Sequence, residues 1–70
     1  MNPKVEAFLS DLKEILEKNK KENNIDFIGM YNLRMKFSKM KQSEWKWILK
    51  QLVSNRKIEI YDPDQKIRLV

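Results

Sequence analysis

The chain contains neither cysteine nor histidine. Disulfide bonds, thiolate nucleophiles, the commonest zinc ligands and the usual imidazole base are therefore excluded. The acidic residues are scattered, with no convergent group suited to acid–base catalysis. Asp62 and Asp64 would bring two oxygen donors to one turn, an arrangement that far more often serves the turn than a metal ion. We expect a binding protein that is not an enzyme, with no cofactor and no metal site.

Long apolar runs are also missing. No run approaches the roughly 20 residues that cross a bilayer, and the N-terminus lacks a basic region followed by an apolar block. A chain of 70 residues is near the lower size limit for a fold without disulfides or metals. We expect a single domain over residues 1–70, located in the cytoplasm, with one small core, no membrane contact and no small-molecule ligand.

Acidic charge is scarce in the middle of the chain. Residues 27–57 contain eight basic residues and one acidic residue, a net charge of +7, whereas residues 1–26 and 58–70 each carry a net charge of −1. The whole positive excess therefore lies in one segment. Such clustering is typical of proteins that bind a polyanion. The alternative is a lysine-rich surface without a function, and the segregation of charge argues against it.

The apolar residues between positions 40 and 54 recur at the period of a helix that packs on a core. Trp47 lies roughly 160° around this helix from Trp45, at about 100° per residue. One indole is therefore expected in the core and the other in solvent. The apolar face comprises Trp45, Ile48, Leu49, Leu52 and Val53.

The opposite face of the same helix is polar and basic, with one aromatic side chain. Such a face suits a nucleic-acid recognition helix, although an ordinary surface helix with a chance aromatic is the competing interpretation. Asn55 is expected to end the helix because asparagine tolerates left-handed geometry. The face comprises Ser43, Trp47, Lys50, Gln51 and Ser54, with Lys46 at its edge.

Two helices are predicted before this one. The first begins at Asn2-Pro3, where asparagine caps free amides and proline needs no hydrogen bond, and runs to about Asn19. The second spans 27–37, after an Asp26 cap and a short strand near Ile25. A turn over 38–41 then leads into the third helix, and Ser38 or Ser43 is expected to cap that helix.

A smaller apolar strip is expected on the outer side of the second helix. Ile28 and Met35 lie on the side away from its main apolar face. A partner subunit or a neighbouring helix would cover them, or they would stay uncovered, since single exposed apolar side chains are common. We treat Ile28 and Met35 as a candidate dimer or partner surface.

The last segment predicts a β-hairpin. Residues 58–61 and 66–69 each alternate with period two, and Asp62-Pro63-Asp64-Gln65 supplies turn chemistry between them. Pairing Tyr61 with Lys66 places Ile60 opposite Ile67, Glu59 opposite Arg68, and Ile58 opposite Leu69. Two apolar pairs then face the core and one ion pair faces water.

This order of elements resembles the winged helix-turn-helix family over nearly the whole chain. The resemblance is carried by the 27–37 helix, the 38–41 turn, the apolar face of the third helix, and the sequence from Ser54 to Ile60. It implies an α+β fold of three helices followed by a two-stranded antiparallel hairpin, the wing. It also implies that the third helix enters the major groove of double-stranded DNA and that the wing meets the backbone or minor groove.

The leading hypothesis is a DNA-binding transcriptional regulator that forms a homodimer. The base-facing residues would be Ser43, Lys46, Trp47, Lys50 and Gln51. The phosphate contacts would be Lys36, Lys39, Lys41, Arg56, Lys57, Lys66 and Arg68. The chain departs from the family at the wing tip, where Asp62 and Asp64 would repel phosphate.

A narrower resemblance links the third helix to the small winged-helix D protein associated with dissimilatory sulfite reductase. It implies a fold that also serves protein contact. The alternative hypothesis is therefore a protein-interaction module that uses Trp47, Ile28 and Met35 as anchors, since tryptophan is enriched in interface hot spots. The matching residues are Met40-Lys41-Gln42, Glu44, Lys46, Ile48-Leu49 and Leu52-Val53.

Overall fold

Three helices and three short strands make up the computed structural model, which describes all residues from 1 to 70. The predicted class is confirmed: the fold is α+β, with three helices followed by an antiparallel hairpin. In chain order the elements are α1 (Pro3–Asn23), β1 (Ile28–Gly29), α2 (Met30–Lys36), α3 (Gln42–Ser54), β2 (Ile58–Tyr61) and β3 (Lys66–Leu69).

Helix α1 starts as predicted and ends later than predicted. The Oδ1 atom of Asn2 accepts a hydrogen bond of 2.8 Å from the backbone N–H of Lys4. The helix then continues past Asn19 to Asn23, because the polar residues of its last turn keep their backbone hydrogen bonds without needing burial. Asn24 ends it with a left-handed φ of 56°, a conformation that asparagine tolerates better than most residues.

The predicted start of the second helix is wrong. Helix α2 begins at Met30, with Gly29 at its N-cap position, and the short strand is at Ile28–Gly29 rather than near Ile25. The cause is a contact distant in sequence, since Ile28 pairs with Ile67 of β3. This pairing buries Ile28 to 5% exposure, and the hydrophobic gain overrides the helical propensity of the segment.

The hairpin has the predicted register. Ile58 opposes Leu69, Glu59 opposes Arg68, Ile60 opposes Ile67 and Tyr61 opposes Lys66. Strand β1 adds to the other side of β3, which gives a three-stranded antiparallel sheet in the order β1-β3-β2. Ile58 and Ile67 are buried in the core, but Leu69 remains partly exposed, so the second apolar pair is only half covered.

The core lies between α1, α3 and the inner face of the sheet. Its aromatic part brings together three elements: the ring centroids of Phe8 and Phe37 are 4.7 Å apart, and that of Trp45 lies 5.7 Å from Phe8. No polar or charged side chain is buried. The core residues are Val5, Phe8, Leu9, Leu12, Leu16, Ile28, Leu33, Trp45, Ile48, Leu49, Leu52, Ile58 and Ile67.

Arg34 holds the turn between α2 and α3. Its guanidinium donates hydrogen bonds to the carbonyl oxygens of Phe37 (2.6 Å) and Met40 (2.8 Å), and its Nε atom donates to Oε1 of Gln42 at 3.3 Å. The same group lies 5.3 Å from the ring centroid of Trp45, within the range of a cation–π contact. One side chain thus joins α2, the turn and α3.

The predicted serine cap of α3 is wrong. Lys41 occupies the N-cap position in extended geometry, and no side chain caps the helix. The turn is held instead by Arg34, which donates to two of its carbonyl oxygens.

We predict that Arg34→Ala lowers the free energy of unfolding by about 1–3 kcal/mol. The change removes the side-chain donor to the carbonyl oxygen of Met40 and one of two donors to that of Phe37, which also accepts from the backbone N–H of Met40. Arg34→Lys should recover little of this loss, since an ammonium cannot reproduce the forked geometry of a guanidinium. Urea unfolding followed by circular dichroism measures both. Lys36→Ala, an exposed cation on the same helix, is the control, and equal stability of the two alanine variants would contradict the role of Arg34.

Candidate nucleic-acid interface

The two indoles of α3 point in opposite directions, as predicted. Trp45 is 5% exposed and packs in the core, whereas Trp47 is 42% exposed. Burial of Trp45 with Ile48, Leu49 and Leu52 fixes the rotation of α3 about its axis. The outer face of α3, which contains Trp47, is therefore held towards solvent by the same contacts that stabilise the fold.

Val53 was predicted to be part of the apolar face and is 43% exposed instead. It lies about 100° around the helix from Leu52, at the margin of the buried face. Contact with the core ends before that margin. The buried face of α3 is therefore narrower than the apolar pattern indicates, and the exposed surface is correspondingly wider.

The polar residues predicted to face DNA lie on this surface. Ser43, Lys46 and Lys50 are exposed together with Trp47, and Gln51 is half-buried. The structure therefore brings hydroxyl, ammonium, amide and indole groups to one side of a single helix. These groups can donate hydrogen bonds, and the indole adds apolar contact area.

None of the eight cations between positions 27 and 57 forms an ion pair, since the three ion pairs of the structure involve other cations. Glu44, the one acidic residue of this segment, lies 3.9 Å from the Nζ atom of Lys4 on α1. Glu44 also lines the cleft that contains Lys36 and Lys39, but it forms no ion pair with either lysine.

The predicted phosphate contacts divide into two sets. Lys36 and Lys39 both line a cleft of about 440 Å³ at the α2–α3 turn, and Lys41 is exposed at the start of α3. Arg56 and Lys57 follow the other end of α3 and are also exposed. These five cations flank the outer face of α3 in sequence at both of its ends.

The C-terminal end of α3 differs in detail from the expectation. Asn55 ends the helix as predicted, with its Nδ2 atom donating to the carbonyl oxygen of Gln51 at 2.8 Å. Its φ is −88°, however, and the left-handed residue is Arg56, with φ of 57°. The left-handed position is therefore Arg56, one residue after Asn55, where it was expected.

The second set, Lys66 and Arg68, lies on the hairpin and is already paired. Lys66 Nζ is 2.9 Å from Oδ2 of Asp62, and this hydrogen bond, reinforced by the carboxylate charge, raises the pKa of the Lys66 ammonium. The hydrogen bond from Arg68 to Glu59 likewise raises the pKa of the guanidinium. Sequence alone indicated the Glu59–Arg68 pair but not the pairing of Lys66 with Asp62.

The predicted partner surface of Ile28 and Met35 does not form. Ile28 is in the core, as described above, whereas Met35 is 56% exposed. The apolar neighbour of Met35 on α2 is instead Tyr31, one turn earlier and 74% exposed. The two residues are spaced i,i+4 on α2, so their side chains are neighbours on one face.

Comparisons with protein-family models, with curated proteins and with solved structures find no match for this chain. None of its helices has the length and apolar character required to cross a membrane. No group of three or more acidic side chains is placed to hold a metal ion. The surface of α3 and its flanking cations are therefore the candidate functional site.

The different environments of the two indoles predict different fluorescence. Trp47→Phe leaves only the buried Trp45, so we expect emission shifted to shorter wavelength and weak quenching by acrylamide. Trp45→Phe leaves only Trp47, so we expect emission at longer wavelength and strong quenching. Equal quenching of the two variants, with both folded by circular dichroism, would contradict the orientation of α3.

Proposed function

We propose that this chain is a winged helix-turn-helix protein that binds double-stranded DNA and regulates transcription, with α3 in the major groove. The observation that carries the proposal is the outer face of α3, where an exposed Trp47 lies among lysines that have no acidic partner. A polyanion supplies the missing counterions, and in a duplex a thymine methyl or a sugar offers apolar contact to the indole.

The dimensions of α3 support this proposal. Its 13 residues span about 20 Å, and a helix with its side chains is about 10–12 Å across, close to the roughly 12 Å width of the major groove. The order of three helices, a hairpin and a short strand paired to β3 is the order that the winged-helix resemblance implies.

The contacts divide into those that specify a sequence and those that position the protein. Lys46, Lys50 and Gln51 would hydrogen-bond to base edges, Ser43 would contact a base or the adjacent phosphate, and Trp47 would pack on a thymine methyl or on sugar. The cations that would hold phosphates at the two ends of α3 are Lys36, Lys39, Lys41, Arg56 and Lys57.

A homodimer is part of this proposal. The longest extent of the protein is 30 Å, close to the distance of about 34–36 Å between half-sites one turn of duplex apart. Two copies on one side of the duplex would therefore lie next to each other. Tyr31 and Met35 are the exposed apolar pair available for contact.

The second candidate is a protein-interaction module. It is favoured by the exposure of Tyr31, Met35, Trp47 and Val53, four large apolar side chains on two consecutive helices. Aromatic side chains and methionine are enriched in interface cores, and a basic surface also attracts an acidic protein. Ile28 has no part in this alternative because it is buried.

Salt dependence tests DNA binding. We predict that a fluorescently labelled duplex of mixed sequence binds at low salt and loses affinity about 10²–10³-fold between about 50 and 200 mM salt, because each neutralised phosphate contributes about 0.9 to the logarithmic slope. Anisotropy titrations at several salt concentrations measure the slope. Absence of duplex binding at the lowest concentration would overturn the proposal.

Trp47→Ala distinguishes the two candidates. If Trp47 contacts bases, we expect duplex affinity to fall about tenfold, within the range for one base contact, while the thermal unfolding curve is retained. Val53→Ala is the matched control, since it removes a similarly exposed apolar side chain on another face of α3. Unchanged duplex affinity together with loss of self-association in sedimentation would favour the interaction module instead.

A further inference from the structure

The outer face of the hairpin is the second charged surface of the protein, and its charges are satisfied internally. Residues 58–70 contain two basic and three acidic residues. Both basic residues form ion pairs with acidic residues of the hairpin itself. The hairpin therefore offers no unpaired cation.

Arg68 is held by two contacts at once. Its Nε atom donates a hydrogen bond of 2.6 Å to Oε1 of Glu59, directly opposite on β2, and its Nη2 atom pairs with the same oxygen. The guanidinium lies 4.4 Å from the ring centroid of Tyr61. A phosphate would have to displace a charge-assisted hydrogen bond to reach this arginine.

Lys66 is held in the same manner. Its ammonium lies 2.9 Å from a carboxylate oxygen of Asp62 and 4.8 Å from the ring centroid of Phe27, which precedes β1. The carboxylate and the ring attract the ammonium together, and they place it against the sheet. Asp64, at the tip of the hairpin, forms no ion pair and repels an approaching phosphate.

The cations around α3 differ in each of these respects. Lys39, Lys41 and Lys57 are exposed and form neither an ion pair nor a cation–π contact. Binding a phosphate there releases condensed counterions without breaking an internal contact. The free energy of phosphate binding therefore favours the ends of α3 over the hairpin.

We propose that the hairpin makes no phosphate contact and that each copy of the protein binds duplex DNA through one major groove, using only α3 and the cations at its two ends. This inference rests on the proposed function. It departs from the wing contact that the family resemblance implies, and it assigns Lys66 and Arg68 to the fold rather than to DNA. The stretch of DNA that each copy contacts is correspondingly short. It comprises one major groove and the two sugar-phosphate backbones that border it.

The test removes both ion pairs of the hairpin without changing net charge. In the quadruple variant Glu59→Gln, Asp62→Asn, Lys66→Gln and Arg68→Gln, two acids and two bases are lost. We expect its duplex affinity to stay within twofold of the unmodified protein, with the same salt slope. Lys39→Gln combined with Lys41→Gln should flatten the slope by about 1.8, at about 0.9 for each phosphate contact.

Three further variants control the result. Lys18→Gln combined with Lys20→Gln lowers net charge as much as the turn variant does, but on α1, and should leave the slope unchanged. The two hairpin pairs are also removed one at a time, so that a fold weakened by four changes does not decide the outcome.

A reduced slope and an affinity loss above fivefold in the folded hairpin variants would overturn this inference while leaving duplex binding by α3 intact. Absence of binding by the unmodified protein would instead overturn the proposed function, and this inference with it.

Discussion

The contact on which the candidate surface depends is the guanidinium of Arg34 across the α2–α3 turn. It donates to two turn carbonyls, reaches Gln42 at the start of α3 and covers the ring of Trp45. Trp45 in turn packs on Phe8 of α1 and Phe37 of the turn. The contacts of Arg34 and Trp45 thus fix how α3 is oriented and how it is rotated about its axis. A helix held in this way can present its outer side chains without relying on a bound partner for order.

The same geometry explains why the cations of the middle segment remain unpaired. The chain has ten acidic residues, enough to neutralise much of its surface, but six of them lie before α2 and three lie on the hairpin. Glu44 alone lies among the cations, and it faces Lys4 on α1. Charge is therefore segregated in space as well as in sequence: α1 has a mixed surface, the hairpin neutralises itself, and α3 with its flanking turns keeps a positive field.

Much of the fold followed from local pattern. The hairpin register was readable because period-two alternation and turn chemistry agree, and the directions of Trp45 and Trp47 followed from helix geometry. The misplaced start of α2 and the burial of Ile28 have one cause, a pairing with Ile67 that lies 39 positions away and leaves no local signal. The sequence shows Arg34 only as a charge, because nothing local indicates that an arginine will donate to the carbonyl oxygens of a turn. The exposure of Val53 shows that a pattern of apolar residues predicts the middle of a buried helix face more reliably than its edge.

Unpaired cations destabilise so small a domain, and this destabilisation is relevant to their function. Like charges repel, and a core of 13 residues leaves little stability in reserve. On the hairpin, Lys66 and Arg68 each form an ion pair with a carboxylate. This sequence therefore does neutralise basic side chains on a surface where their free charge has no proposed role. On α3 the one carboxylate, that of Glu44, pairs with Lys4 of α1 and not with a cation of the middle segment. A surface of the same protein on which cations remain free, beside an exposed indole, is better explained by an anionic ligand than by a lysine-rich composition alone.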